Sequence, residues 1–129
     1  MNYKNTILIV DDDRILRLLL GNLLKRWGYE VFEADDGSTA IEMIHKRPFD
    51  LVLMDIHMRK VSGLEALSEI KSYNPDLPVI IMTALASAEY AAEVQNKGAS
   101  DFLTKPFDSA RLKKALCQAL DNITLKDQL

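Results

Sequence analysis

Residues 51–55 read Leu-Val-Leu-Met-Asp. Four apolar positions in succession leave no wet face, so the run is not a half-exposed strand with alternating polarity. It has the pattern of a strand buried on both sides, as in a parallel sheet covered by helices. A second run of the same kind, "PVIIMT", occupies residues 78–83. On either side, "TILIV" (6–10), "EVFEA" (30–34) and "DFLTK" (101–105) supply three further β-rich segments. Helical spacing fills the intervals. Leu16, Leu19, Leu20, Leu23 and Leu24 recur along one stripe, then Ala40, Ile41 and Ile44, then Leu64, Leu67 and Ile70. An alanine-rich helix is expected from about Ser87 to Lys97, and a last one carries Leu112, Ala115, Leu116, Ala119 and Ile123 on one face.

The order is therefore (βα)5. Its punctuation is consistent: Gly28, Gly37 and Gly98 open or close helices, Pro48, Pro75 and Pro78 fall in connections, and Ser109 is placed to cap the last helix. Right-handed crossovers then give an α/β fold, a doubly wound five-stranded parallel sheet with helices on both faces. In such sheets ligands bind beyond the carboxyl ends of the strands, near the point where strand order reverses. With 129 residues the chain makes one domain, burying roughly two thirds of its unfolded surface. The expected division is 1–123 for the domain and 124–129 for a tail, within the terminal "NITLKDQL" that reads as a helix end or the start of a linker.

Hydrophobic residues at 48% and charged residues at 27% are those of a globular protein, and a net charge of −3 argues against nucleic-acid binding by this domain. No apolar run approaches the roughly 20 residues of a membrane span, and "MNYKNT" lacks a signal-peptide layout, so the reading is cytoplasmic, with no membrane partner. The lone Cys117 has no disulfide partner and is expected to pack as a small apolar side chain.

The strand ends carry the chemistry. Asp11 and Asp12 follow the first strand, Asp55 ends the third, and Thr83 and Lys105 follow on the fourth and fifth. Two carboxylates about 4 Å apart repel by about 4 kcal/mol at an effective dielectric near 20, so their convergence calls for positive charge. Mg²⁺, with its preference for octahedral oxygen ligands and retained waters, suits that pocket. Its open positions can take a phosphoryl oxygen, with Lys105 and Thr83 opposite. No GxxxxGK loop exists to cradle a nucleotide, and Asp55, ending a buried strand, is placed to act as a nucleophile and form an aspartyl-phosphate. Taken singly, each residue has an ordinary reading: a solvated loop at 11–13 with Asp13 as helix cap, a strand-end turn at Asp55, a β-former at Thr83, a surface charge at Lys105. Their joint placement on the carboxyl ends of the strands outweighs those readings. His45 and His57 need no catalytic imidazole, and Arg111, Lys113 and Lys114 read as a solvated helical face.

"ILIVDDD", "DLVLMDIHM", "GLEAL", "PVIIMTA" and "GASDFLTKPF", in this order and spacing, resemble the receiver domain of two-component response regulators, the CheY-like superfamily, over residues 5 to about 123. The resemblance implies a flavodoxin-like fold and a regulatory phosphoacceptor domain that assists only its own phosphorylation and dephosphorylation. It implies that Asp55 accepts phosphate from the phosphohistidine of a sensor histidine kinase or phosphotransfer protein. Asp12, Asp55 and the main-chain carbonyl of His57 would ligate Mg²⁺, or Mn²⁺ in its place, with Asp11 acting through water. Thr83 and Lys105 would hold the phosphoryl oxygens, the Lys105–Pro106 bond would be cis, and Phe102 would be an aromatic switch that turns inward. The change would pass to the face made by the fourth helix, fifth strand and fifth helix, toward an effector or a fused output domain, with homodimer formation on phosphorylation.

Two departures from the family's M-P-x-M-D-G loop carry weight in "MRKVSG": Arg59 replaces proline and Ser62 replaces aspartate. Ser62 with Glu65 still fits a capping box, whereas Arg59 and Lys60 bring two positive charges beside the acidic pocket. Two rivals follow from other classes. A haloacid-dehalogenase-like phosphatase needs DxDx[TV] after its first strand, which "DDDRI" does not match. A pseudo-receiver acting as a phosphorylation-independent interaction module has no use for Asp12, Asp55, Thr83 and Lys105 together.

Overall fold

A computed structural model describes residues 5–56, 62–84 and 88–128, the side chains of 88–90 and 122–128 excepted. Strands β1 (Thr6–Val10), β2 (Glu30–Ala34), β3 (Leu51–Asp55), β4 (Val79–Thr83) and β5 (Asp101–Thr104) alternate with helices α1 (Arg14–Arg26), α2 (Gly37–Lys46), α3 (Gly63–Tyr73), α4 (Ala88–Asn96) and α5 (Ser109–Gln128). The strands are all parallel, in the order β2-β1-β3-β4-β5. The chain runs outward from β1 to β2, returns to β3 and proceeds the other way. The order therefore reverses between β1 and β3. This is the doubly wound, CheY-like sheet.

The continuous apolar runs have a direct physical cause. Successive side chains of a strand point to opposite faces, so Ile7, Ile9, Leu51, Leu53, Ile80 and Met82 pack with Leu20 and Leu24 of α1 and Leu112, Ala115 and Leu116 of α5. Leu8, Val10, Val52, Met54, Val79 and Ile81 face the other way, onto Ala40 and Ile44 of α2, Ala66, Leu67 and Ile70 of α3, and Val94 of α4. Each fully buried side chain of this size contributes about 1.5–3 kcal/mol, which a polar residue at the same position would forfeit.

Helix termini follow local chemistry. The Asp13 carboxylate caps α1 by accepting from the N–H groups of Ile15 (3.0 Å) and Leu16 (3.2 Å). The Asp36 side chain accepts from Thr39 N–H (2.8 Å) at α2, and Ser62 Oγ from Glu65 N–H (3.2 Å) at α3. Gly28 and Gly98 follow their helices with φ of 94° and 100°, a conformation open to glycine at little cost. At α5 the expectation for Ser109 is corrected. Asp108 is the cap, its carboxylate accepting from Arg111 N–H at 2.7 Å, and Ser109 is the first helical residue. A carboxylate one position earlier reaches the third amide of the helix and outcompetes the hydroxyl. Cys117 also departs from expectation: it lies on the exposed face of α5, because Leu112, Ala115, Leu116 and Ala119 already fill the buried stripe.

Candidate functional site

The carboxyl ends of β1, β3 and β5 bring three charged residues onto one side of the sheet. Ile7 and Ile9 face α1 and α5, and Asp11 continues their alternation; Asp55 does so after Leu51 and Leu53, and Lys105 after Leu103. Register aligns the ends. Val10 pairs with Met54, Asp55 with Met82 and Thr83 with Thr104, and main-chain bonds from Ile56 to Met82 (3.1 Å) and from Lys105 to Thr83 (2.6 Å) extend the ladders past the last paired residues.

The result is a compact acidic pocket. Asp11, Asp12 and Asp55 each offer a carboxylate oxygen, and these atoms all lie within 4.8 Å of one another. Asp11 and Asp55 are buried at 1% and 6% exposure, while Asp12 is more open to solvent. Lys105 Nζ donates to Asp11 Oδ2 at 2.9 Å and stands 3.5 Å from Asp55 Oδ1. Burial pulls the Lys105 pKa down, but its hydrogen bond to Asp11 and the charges of Asp11 and Asp55 more than offset this, leaving it above the ordinary lysine value. The ammonium is therefore charged at neutral pH, and it supplies part of the positive charge that three converging carboxylates require. Hard oxygen donors at this spacing fit a small divalent cation. Thr83 ends β4 and is fully buried. By strand alternation it faces the same side as Val79 and Ile81, opposite to Asp55 and Lys105.

Phe102 pairs with Ile81 in the sheet and packs half-buried against the core under α2, α3 and α4, with β4 between its strand and the strands that carry the acidic cluster. The Lys105–Pro106 peptide bond is cis. His45 lies exposed in the last turn of α2, its ring centroid 4.2 Å from that of Tyr73 and at the opposite end of the sheet from the carboxylates. His57, Arg59 and Lys60 fall outside the described residues.

Three residues at the site have no counterpart in the sequence reading. Arg17 of α1 donates through Nη1 to the Asp11 carbonyl at 2.6 Å, and through Nε to Glu33 of β2 at 3.2 Å. Their signal is faint: a basic residue four positions after a helix cap, inside a leucine-rich stripe. Gly63 is the third. A Cβ there would lie 2.4 Å from Ile56 Cα and 2.6 Å from the Asp55 carbonyl oxygen, so the first turn of α3 closes against the chain leaving Asp55 only because residue 63 has no side chain.

The response regulator receiver domain model matches residues 7–117. The transcriptional regulatory protein ZraR of Klebsiella oxytoca is 45% identical over 121 residues, covering 94% of this chain and 27% of that protein, so the chain spans about a quarter of such a relative. NtrX of Brucella abortus superimposes with a TM-score of 0.91 at 34% identity, over 98% of this chain and 29% of that one. The response regulator TrrA of Thermotoga maritima, solved with Mg²⁺ and BeF, gives 0.82 at 33% identity, over 90% and 99% of the two chains. By sequence match, by fold and by the acidic cluster at its strand ends, the chain belongs to the response regulator receiver domain family of two-component systems.

Proposed function

We propose that the domain is a phosphorylation-controlled switch in which Asp55 accepts a phosphoryl group from the phosphohistidine of a sensor histidine kinase or phosphotransfer protein. The observation that carries this reading is the convergence of Asp11, Asp12 and Asp55 within 4.8 Å, with the Lys105 ammonium 3.5 Å from Asp55. Asp55 Oδ attacks phosphorus, the phosphorus–nitrogen bond to the donor imidazole breaks, and the imidazole leaves with the electron pair. Asp12, Asp55 and the His57 main-chain carbonyl would hold Mg²⁺, with Mn²⁺ as a substitute and Asp11 acting through water; the ion supplies positive charge opposite the carboxylates and phosphoryl oxygens when bound. Lys105 exchanges its contact with Asp55 for a phosphoryl oxygen, and Thr83, which faces away from Asp55 before phosphorylation, moves toward it so that its hydroxyl donates to another.

New charge-assisted hydrogen bonds at Thr83 and Lys105 bias an equilibrium between two conformations by a few kcal/mol, enough to shift its populations. Phe102 turns inward with Thr83, and the α4-β5-α5 face changes its affinity for an effector, a fused output domain or a second copy. The phosphodonor docks on α1. Ile15, Leu18 and Leu19 are 63%, 55% and 62% exposed there, and Leu19 lines a groove of about 530 Å³ with Leu16, Leu20, Phe107, Leu112 and Lys105. An apolar helix seated on this patch sets its phosphohistidine at the mouth of the pocket. No described helix is long and apolar enough to cross a membrane. Phosphotransfer within a two-component system places the proposed reaction in the cytoplasm.

Incubation with Mg²⁺ and acetyl phosphate tests the reading by intact mass. Wild type gains one phosphoryl mass, whereas Asp55→Asn and an EDTA-treated sample do not. If neither acetyl phosphate nor beryllofluoride modifies the wild-type protein, the switch reading falls and a phosphorylation-independent interaction module replaces it.

A further inference from the structure

Asp11 is held at every polar atom. Its N–H donates to Ala34 O on β2 (3.2 Å), its Oδ1 accepts from Asp13 N–H (2.9 Å) and its Oδ2 accepts from Lys105 (2.9 Å). The fourth contact, from Arg17 Nη1 to the Asp11 carbonyl at 2.6 Å, comes from a residue that touches no carboxylate of the pocket among the described contacts. Arg17 is itself held. Its Nε donates to Glu33 at 3.2 Å, and its side chain is only 15% exposed although it carries a full charge.

A guanidinium is a rigid planar fork, so fixing Nε on Glu33 also fixes the direction of Nη1. The acceptor matters as much as the donor. The Asp11 carbonyl, the Asp12 N–H and the Asp12 Cα lie in one peptide plane, so a bond that orients the carbonyl orients the bond from which the Asp12 side chain departs. On the other side of that plane, Asp11 is pinned by Lys105 and Asp13. One contact therefore sets the relative placement of two of the three clustered carboxylates.

We propose that Arg17, oriented by Glu33, is a positioning residue for the acidic pocket: it fixes the Asp11–Asp12 peptide plane and thereby raises the affinity of the pocket for a divalent cation. The inference rests on the Mg²⁺ site of the proposed function. Two effects of removing Arg17 have opposite signs, which makes the idea testable. Loss of a nearby positive charge tightens cation binding by Coulomb's law, whereas loss of carboxylate placement weakens it.

The experiment titrates Mg²⁺ into the full chain and follows the ¹⁵N amide shifts of Asp12 and Asp13 in wild type, Arg17→Met and Arg17→Lys. Outer-shell partners of metal ligands are typically worth 10-fold or more in affinity, so Arg17→Met is expected to raise the Kd about 10-fold. Arg17→Lys keeps the charge but replaces the fork with a point donor, and is expected to fall between the two. Affinity in Arg17→Met equal to or tighter than wild type overturns the proposal, as does wild-type affinity in Arg17→Lys. A urea midpoint recorded on each variant separates folding from placement: a variant that loses stability yet keeps wild-type Mg²⁺ affinity assigns Arg17 to folding alone and overturns the proposal. Should Arg17→Met not fold, the Arg17→Lys arm decides. A wild-type protein that does not bind Mg²⁺ overturns the pocket reading and this inference with it; variants matching a wild type that binds overturn this inference only.

Discussion

Gly63 and Gly21 show how differently one residue type acts at two positions. At Gly63 an added methyl meets main chain, 2.4 Å from Ile56 Cα, and neither α3 nor the chain after Asp55 can give way without moving the pocket. Gly63→Ala is expected to lower stability by about 1–3 kcal/mol in urea unfolding, the cost of overpacking. At Gly21, buried in the middle of α1, the nearest atom to an added methyl is Val31 Cγ1 at 3.8 Å, an ordinary contact. Gly21→Ala is expected to raise stability by about 0.5–1 kcal/mol in the same assay, through helix propensity and a less flexible unfolded chain. Tyr29 provides a pH signature. Burial raises the pKa of its phenol, and the nearby Cys117 and Asp121 on α5 add to this. Its folded pKa lies above the unfolded value of about 10, so its contribution to stability is complete below that value and is lost as pH rises through the folded pKa. Urea midpoints from pH 9 upward are expected to fall less steeply in Tyr29→Phe than in wild type.

Among the elements, the caps are the parts most easily misread. Both Asp108 and Ser109 are good capping residues, and which one caps α5 depends on where the chain leaving β5 enters the helix. Asp108→Ala is expected to cost about 1 kcal/mol in thermal or urea unfolding and Ser109→Ala much less. Equal costs for the two would contradict the capping geometry. The strands are legible because burial on both faces forces apolar residues at consecutive positions, as in Leu51–Met54 and Val79–Met82. The exposed stripe of α1 was legible only in part. Leu16, Leu19, Leu20, Leu23 and Leu24 share a helical periodicity, yet Leu20 and Leu24 enter the core while Leu19 remains 62% exposed. Periodicity identifies a helix face; how far the neighbouring α5 covers that face is a property of packing.

At the scale of the molecule, the cation site proposed for the pocket would link ion binding to stability. Ligands that bind only the folded state stabilise by mass action, so Mg²⁺ at 100 times its Kd is expected to add about 2.7 kcal/mol, read as a rise in Tm that EDTA reverses and Asp55→Asn diminishes. The element types, their order, the doubly wound sheet and the residues Asp11, Asp12, Asp55, Thr83 and Lys105 at its strand ends were all determined by the sequence, because hydrophobic period, turn chemistry and strand-end polarity are local properties of the chain. The tertiary structure alone decided that Lys105 bonds Asp11 across 94 positions, that Arg17 and Glu33 clamp the chain between two of the carboxylates, and that α3 approaches Asp55 so closely that residue 63 must be glycine. These contacts depend on strand order and register, which are set by the simultaneous packing of two cores. A one-residue slip in β3 or β5 would turn Asp55 or Lys105 to the opposite face and dissolve the site while leaving every local pattern unchanged.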